Sequence, residues 1–193
     1  MAQTLTDTKT GTNRMFTTRE VVFTGICAAL LAVCSWISIP TAVPFMLQTF
    51  GIFCVLELLG GKKGFFSILV FLLLGAIGIP VFAGFSGGLG VILGTTGGYL
   101  IGFLLTATVY WLSEKMISLH EKRWFRMIIL VIGLAICYVF GTFWFVQVYT
   151  KQAEAISFRA ALDLCVIEFI IPDFLKLALA MMLTERIKNY VKF

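Results

Sequence analysis

Apolar residues come in long runs with no strict alternation, and the runs are separated by short clusters of charge, proline or glycine. A membrane-crossing helix takes about 20 residues. Six runs approach that length, at 18–37, 46–60, 64–79, 91–113, 125–149 and 173–190. The second and third are short, and Lys62, Lys63 and Gly64 between them predict a tight turn at one surface. The expected fold is therefore an all-α membrane protein of six transmembrane helices. Residues 1–16 open with the polar stretch MAQTLTDTKTGTNR and are expected to form a disordered cytoplasmic tail. Residues 17–193 are expected to form one six-helix transmembrane domain.

Composition agrees with this pattern. Sixty per cent apolar residues, 13% charged residues and a mean hydropathy of +0.99 exclude an ordinary soluble domain. Charge then orients the bundle, because Lys and Arg collect in cytoplasmic segments. Lys9, Arg14, Arg19, Lys62, Lys63, Lys115, Lys122, Arg123, Arg126, Arg186, Lys188 and Lys192, twelve of the fifteen basic residues, fall on one side of the predicted spans. Lys151 and Arg159 fall on the other, and Lys176 lies inside the last span. Both termini are thus expected in the cytoplasm, with 38–45, 80–90 and 150–172 facing outward. The net charge of +5 is this topology signal and gives no reason to invoke nucleic acid.

Little else suggests catalysis. Cys27, Cys34, Cys54, Cys137 and Cys165 have neither metal-ligand nor CxxC spacing and read as packing residues. His120 sits in the solvated linker SLHEKR, and GxSxG, HExxH and phosphate-loop patterns are all lacking. No enzymatic activity, cofactor or metal is expected, and the chain has no motif with which to hydrolyse ATP.

The candidate chemistry concentrates in two places. Residues 75–103 hold ten of the eighteen glycines, and Pro80 lacks an N–H, so the backbone here should leave helical geometry. Irregular backbone at membrane depth is tolerated where it lines a cavity. Gly87 and Gly88 can bring main-chain N–H groups close to a solute, with Phe82 and Phe85 as walls, or the stretch can be a tight interhelical loop. The second place is PDFLK at 172–176, with Pro172 expected at the first helical position. Asp173 and Lys176 share a helix face at i,i+3, and ionisable groups inside a membrane are costly enough to point to function.

Other positions have more than one reading. Gln48 can serve a ligand or cap its helix, and Tyr99 follows small and hydroxyl-bearing residues on a face able to line a pocket. The aromatic residues of 138–149 suit either a pocket wall or an interfacial belt. Glu57 is expected to pair with the Lys62/Lys63 turn, and 157–171 reads as a short outer helix able to act as a lid. In the first span Gly25/Ala29 and Ala28/Ala32 form small-xxx-small pairs that permit close approach of another helix, from this bundle or from a partner.

Taken in order, VPFMLQTF at 43–50, GIPVFAGFSGGLG at 78–90, the GTTGGYLIGF after it and PDFLK at 172–176 resemble the BioY family. These are the biotin-specific S components of energy-coupling factor (ECF) transporters. The resemblance covers about residues 20–185. It implies biotin as transported substrate, held near the outer surface of a prokaryotic plasma-membrane protein. It also implies a membrane coupling subunit and two cytoplasmic ATPase subunits as partners. Asp173 and Lys176 are implied pocket residues, beside Gln48, Phe82, Phe85, Gly87, Gly88 and Tyr99 as substrate-binding candidates. Gly25, Ala28, Ala29 and Ala32 become the expected docking face. The chain departs from the family pattern at Met46 (usually Thr), Thr95 (Pro), Glu168 (Pro) and Ile171-Pro172 (Pro-Gly). Rival readings are an S component for another vitamin and an ion-coupled transporter with Asp173 as proton carrier.

Overall fold

The structure, a computed structural model, describes residues 17–39, 45–116, 122–152 and 158–190. The expected tail at 1–16 and the linker around His120 lie outside them. Helix α1 (Thr18–Trp36) starts from a capping box in which Thr17 N–H donates to Glu20 Oε2 at 2.8 Å and Glu20 N–H donates to Thr17 Oγ1 at 3.4 Å. After it, β1 (Ser38–Ile39) pairs antiparallel with β2 (Phe45–Met46). Helix α2 (Gln48–Ala76) follows directly.

Gly60 breaks α2 with φ 78° and ψ 173°, a conformation that a side chain resists. The break divides α2 into two arms, which correspond to the second and third predicted spans. It falls ahead of Lys62 and Lys63, so both lysines belong to the first turns of the second arm. The glycine-rich stretch leaves regular helix as expected. It contains a 3₁₀ turn at Ala83–Phe85 and the short α3 (Leu89–Leu93) before α4 (Gly97–Met116) begins. Helix α5 (Arg123–Gln152) then packs closely on α4. A Cβ on Gly98 would lie 2.3 Å from Trp144 Cβ, and one on Gly141 would lie 2.3 Å from the Tyr99 ring.

The last part of the chain corrects two expectations. A short α6 (Phe158–Leu162) and a π turn (Asp163–Ile167) run directly into α7 (Glu168–Tyr190). The described part of 157–171 is therefore continuous with the last helix and no separate lid; Ala161, Cys165 and Val166 set one face of it against the bundle, while Arg159, Asp163 and Ile167 stay exposed. Pro172 lies inside α7 and does not start it. The helix tolerates this because Pro172 removes one donor near its beginning, where the widened π turn already interrupts the regular ladder.

Six long helical segments result: α1, the two arms of α2, α4, α5 and α7. Among the described residues α1, α2 and α5 are long and apolar enough to cross a membrane. Large side chains such as Ile77, Trp124, Val139 and Ile171 are exposed on the outside, as suits a lipid-facing surface. The ends of the bundle differ. One end gathers ion pairs, Lys63–Glu20 at 3.1 Å, Arg123–Glu185 at 2.8 Å and Arg126–Glu57 at 3.0 Å. Glu57 thus pairs across the bundle with Arg126, and Lys63 of the adjoining turn pairs with Glu20 instead. The other end carries the loops, tied down by Ser35 Oγ donating to Val81 O at 2.7 Å and Trp36 Nε1 donating to Pro80 O at 2.8 Å.

Candidate functional site

Near the loop end, three parts of the chain converge on Asp173. Helical spacing sets Lys176 one turn beyond it, and Lys176 Nζ donates to Asp173 Oδ1 at 2.7 Å. The start of α2 contributes Thr49, whose hydroxyl donates to the same oxygen at 2.9 Å. From α5, Tyr138 Oη donates to Asp173 Oδ2 at 2.5 Å. Lys176 also donates to Met46 O at 2.7 Å and to Thr49 Oγ1 at 3.2 Å, so all three of its protons have acceptors. Asp173 and Lys176 are 2% and 6% exposed. Burial of such a pair is sustainable only with this degree of hydrogen bonding.

Gln48 behaves differently. It is 1% exposed, yet neither Nε2 nor Oε1 has a hydrogen-bond partner among the described residues. Leaving a buried polar group unpaired costs about 1–3 kcal/mol. Such a group calls for a partner that the described residues do not supply, water or a ligand. The amide stands where two chambers meet. The first, about 50 Å³, is lined by Met46, Gln48, Thr49, Thr96, Tyr99, Phe103, Leu134, Cys137, Tyr138, Cys165, Phe169, Asp173 and Lys176. The second, about 210 Å³, lies under the glycine-rich loop and is lined by Met46, Gln48, Phe82, Ala83, Ser86, Val91, Thr96 and Leu100. Met46, Gln48 and Thr96 belong to both. The arrangement offers a neutral ion pair, an unused amide and apolar walls, which suits a small, mostly apolar solute with a compact polar group. Among the described residues no cluster of three His, Cys, Asp or Glu could hold a metal.

The sequence-predicted residues divide accordingly. Asp173, Lys176, Gln48 and Tyr99 share the first chamber, where the Tyr99 hydroxyl is fixed 3.1 Å from Thr142 Oγ1. Phe82 lines the second and meets Phe71 edge-on at 5.5 Å. Phe85 lines neither. It is 65% exposed and stacks on Trp36 with ring centroids 5.0 Å apart. Gly87 and Gly88 shape the loop and do not line a chamber. A Cβ on Gly87 would lie 2.4 Å from Ile79 O, and Gly88, at φ 97°, donates its N–H to Gly75 O at 2.7 Å.

The expected docking face also splits. Ala28 and Ala32 are buried in the bundle, whereas Gly25 and Ala29 are exposed, with open space beside Gly25. The two small-residue pairs lie on adjacent lines of α1, and packing takes one of them inward. Sequence reasoning missed Thr49 and Tyr138 as partners of Asp173. Thr49 lies within the VPFMLQTF motif and Tyr138 among the α5 aromatics, but their roles come from contacts 124 and 35 residues away.

Comparison with known proteins agrees with this geometry. Residues 6–193 match the BioY family. The chain is 37% identical over 172 residues to the "Probable biotin transporter BioY" of Pyrococcus horikoshii, covering 89% of this chain and 97% of that one. It is 40% identical over 173 residues to the "Biotin transporter BioY" of Thermotoga maritima, covering 89% and 96%. Its fold is similar to that of a solved S-component for biotin from an ECF-type ABC transporter. The TM-score is 0.77 at 27% identity, over 89% of this chain and 91% of that one.

Proposed function

The chain belongs to the BioY family, and from that premise we propose that it is a biotin-specific S component that captures biotin in the paired chambers beside Asp173. It acts as a transporter subunit and not as an enzyme. The observation that carries the reading is the Gln48 amide, which is buried and has no partner among the described residues. Biotin's ureido ring has two N–H donors and one carbonyl acceptor. A primary amide matches this pair, with Oε1 accepting from one N–H and Nε2 donating to the carbonyl. Asp173 can serve the second N–H. A carboxylate has about four acceptor sites, and Thr49, Lys176 and Tyr138 take three, which leaves one on Oδ2. Lys176 holds Asp173 in orientation, and through Met46 O it fixes the segment that delivers Gln48. Because that contact uses the backbone, Met in place of the family's usual Thr leaves it intact.

The clustering of basic residues at one end supports an orientation with both termini in the cytoplasm and the loop end facing outward across the plasma membrane. A six-helix binder has no energy source of its own. Accumulation therefore depends on partners: a membrane coupling subunit and two ATPase subunits, with the exposed Gly25/Ala29 strip of α1 as the docking face. Calorimetric titration of the purified chain with biotin tests the binding reading, and saturable one-site binding is expected. A folded chain that ignores biotin would refute it. For docking, the Gly25→Leu/Ala29→Leu double variant should keep biotin affinity while losing uptake in cells that express the complete transporter. Normal uptake would remove this face from consideration.

A further inference from the structure

We propose that the loop over the second chamber, residues 77–94, is seated among the acyl chains of the leaflet at the loop end, so that lipid and not water covers its outer side. The membrane fold alone carries this, whatever ligand the chambers take. The first ground is length. Lys62 and Lys63 hold the start of the second arm of α2 at the basic end, and from Gly61 to Ala76 the helix rises only about 23 Å, against about 30 Å for the hydrocarbon core. Tilt shortens that reach further. On the neighbouring α1, Trp36 stands about 24 Å from Glu20, which pairs with Lys63, and Trp36 Nε1 donates to Pro80 O. Two helices therefore hold the loop at the same depth. By contrast, α5 rises about 39 Å from Arg126 to Gln152, so the loop end is uneven and the loop occupies its low side.

The second ground is chemistry. Loops that face water are rich in polar side chains. No charged residue occurs from Gly64 to Ser113, and Ser86 is the one polar side chain between Ile77 and Gly94; its hydroxyl donates to Ala83 O at 2.7 Å. Ile77, Ile79, Phe85, Leu89 and Leu93 are exposed. Ile77 stands one turn beyond Leu73, also exposed, so the patch continues the lipid-facing side of the second arm. The backbone suits the same setting, because at membrane depth it must find its partners within the protein. The N–H groups of Ile79, Val81, Phe82, Gly88 and Val91 donate to carbonyls within residues 74–88, while Ser35 Oγ and Trp36 Nε1 donate to Val81 O and Pro80 O. Phe82 of this loop lines the second chamber, whose roof is thus supported by the membrane.

Nitroxide labels on the full-length chain in dioleoyl phosphatidylcholine vesicles test this. Leu89→Cys and Leu93→Cys place them on the loop, two sites guarding against one variant that fails to fold. Val139→Cys on the exposed apolar side of α5 and Arg186→Cys at the basic end serve as references. The five native cysteines are buried, and the parent chain treated with the same label gives the background. Electron paramagnetic resonance reads collisions with oxygen, which concentrates in lipid, and with a water-soluble nickel chelate. At Leu89 and Leu93 the oxygen-to-nickel ratio should approach that at Val139 and exceed that at Arg186. A ratio like that at Arg186 overturns the inference, since the loop then stands in water, and shielding from both reagents overturns it because protein then covers the patch. Depth is checked by thinning the bilayer with dilauroyl phosphatidylcholine. The ratio at Leu89 and Leu93 should fall towards that at Arg186 while Val139 keeps its value; ratios that do not move would show that the shortness of the second arm does not set the depth of the loop, and would overturn the proposal.

Discussion

Two buried carboxylates anchor opposite ends of this bundle, and they have nearly the same partners. At the loop end, Asp173 accepts from Lys176, Tyr138 and Thr49. At the basic end, Glu57 accepts from Tyr110 at 3.0 Å and from Arg126 Nε at 3.1 and 3.0 Å, with Lys188 at 3.6 Å. Both combine an acid, a base and a tyrosine drawn from several helices, so this inventory does not distinguish a binding site from a structural clamp. The surroundings do. Glu57 sits among groups that answer one another, and Lys188, with 37% of its side chain exposed, adds little because solvent screens it. A cavity opens beside Glu57 as well, but only Asp173 sits beside a buried amide with no partner among the described residues. Unmet hydrogen-bonding capacity, more than buried charge, is what sets the proposed binding end apart.

The largest expected effect separates the two clusters by stability. Glu57→Gln leaves Arg126 and Tyr110 facing a neutral group, and breaking a buried pair in this way costs roughly 3–5 kcal/mol. Thermal unfolding in detergent should show the loss. Biotin affinity of the fraction still folded should change by less than about threefold, and a larger change would join the two clusters into one functional unit. Asp173→Asn comes next, with the opposite distribution. A charge-assisted hydrogen bond is worth about 1.5–3 kcal/mol, so affinity should fall by at least tenfold in titration calorimetry. Unchanged affinity would make Asp173 a clamp like Glu57. The smallest effect belongs to Phe85→Ala, which removes a ring stacked on Trp36 outside both chambers and should leave affinity within about threefold.

Much of this was legible in the sequence because it depends on local spacing. Apolar run lengths predicted the helices, and the i,i+3 spacing of Asp173 and Lys176, together with the cost of charge in a membrane, singled out the pair. Where long-range packing decides, the sequence was silent or misleading. Glu57 stood close to Lys62 and Lys63, but α2 breaks at Gly60 and its partner Arg126 comes from α5, 69 residues on. Gly87 and Gly88 read either as a ligand cradle or as a tight interhelical loop, and close approach to Ile79 and a positive φ at Gly88 fit the loop reading. Periodicity paired Ala28 with Ala32 and Gly25 with Ala29 equally well and could not say which pair faces inward. Gln48 was visible as a polar residue at a helix start, but its lack of a partner among the described residues emerged only in three dimensions.

That lack of partner is the claim on which the account turns, and Gln48→Met tests it most directly by keeping the volume and removing the amide. Thermal unfolding without ligand and titration with biotin should be measured on the same preparation. Because an unpaired buried group is destabilising, the variant without ligand should unfold at a temperature equal to or higher than the parent, while biotin binding weakens by at least about tenfold. Lowered stability with unchanged affinity would contradict the account, since Gln48 would then be a structural residue whose amide the ligand never meets.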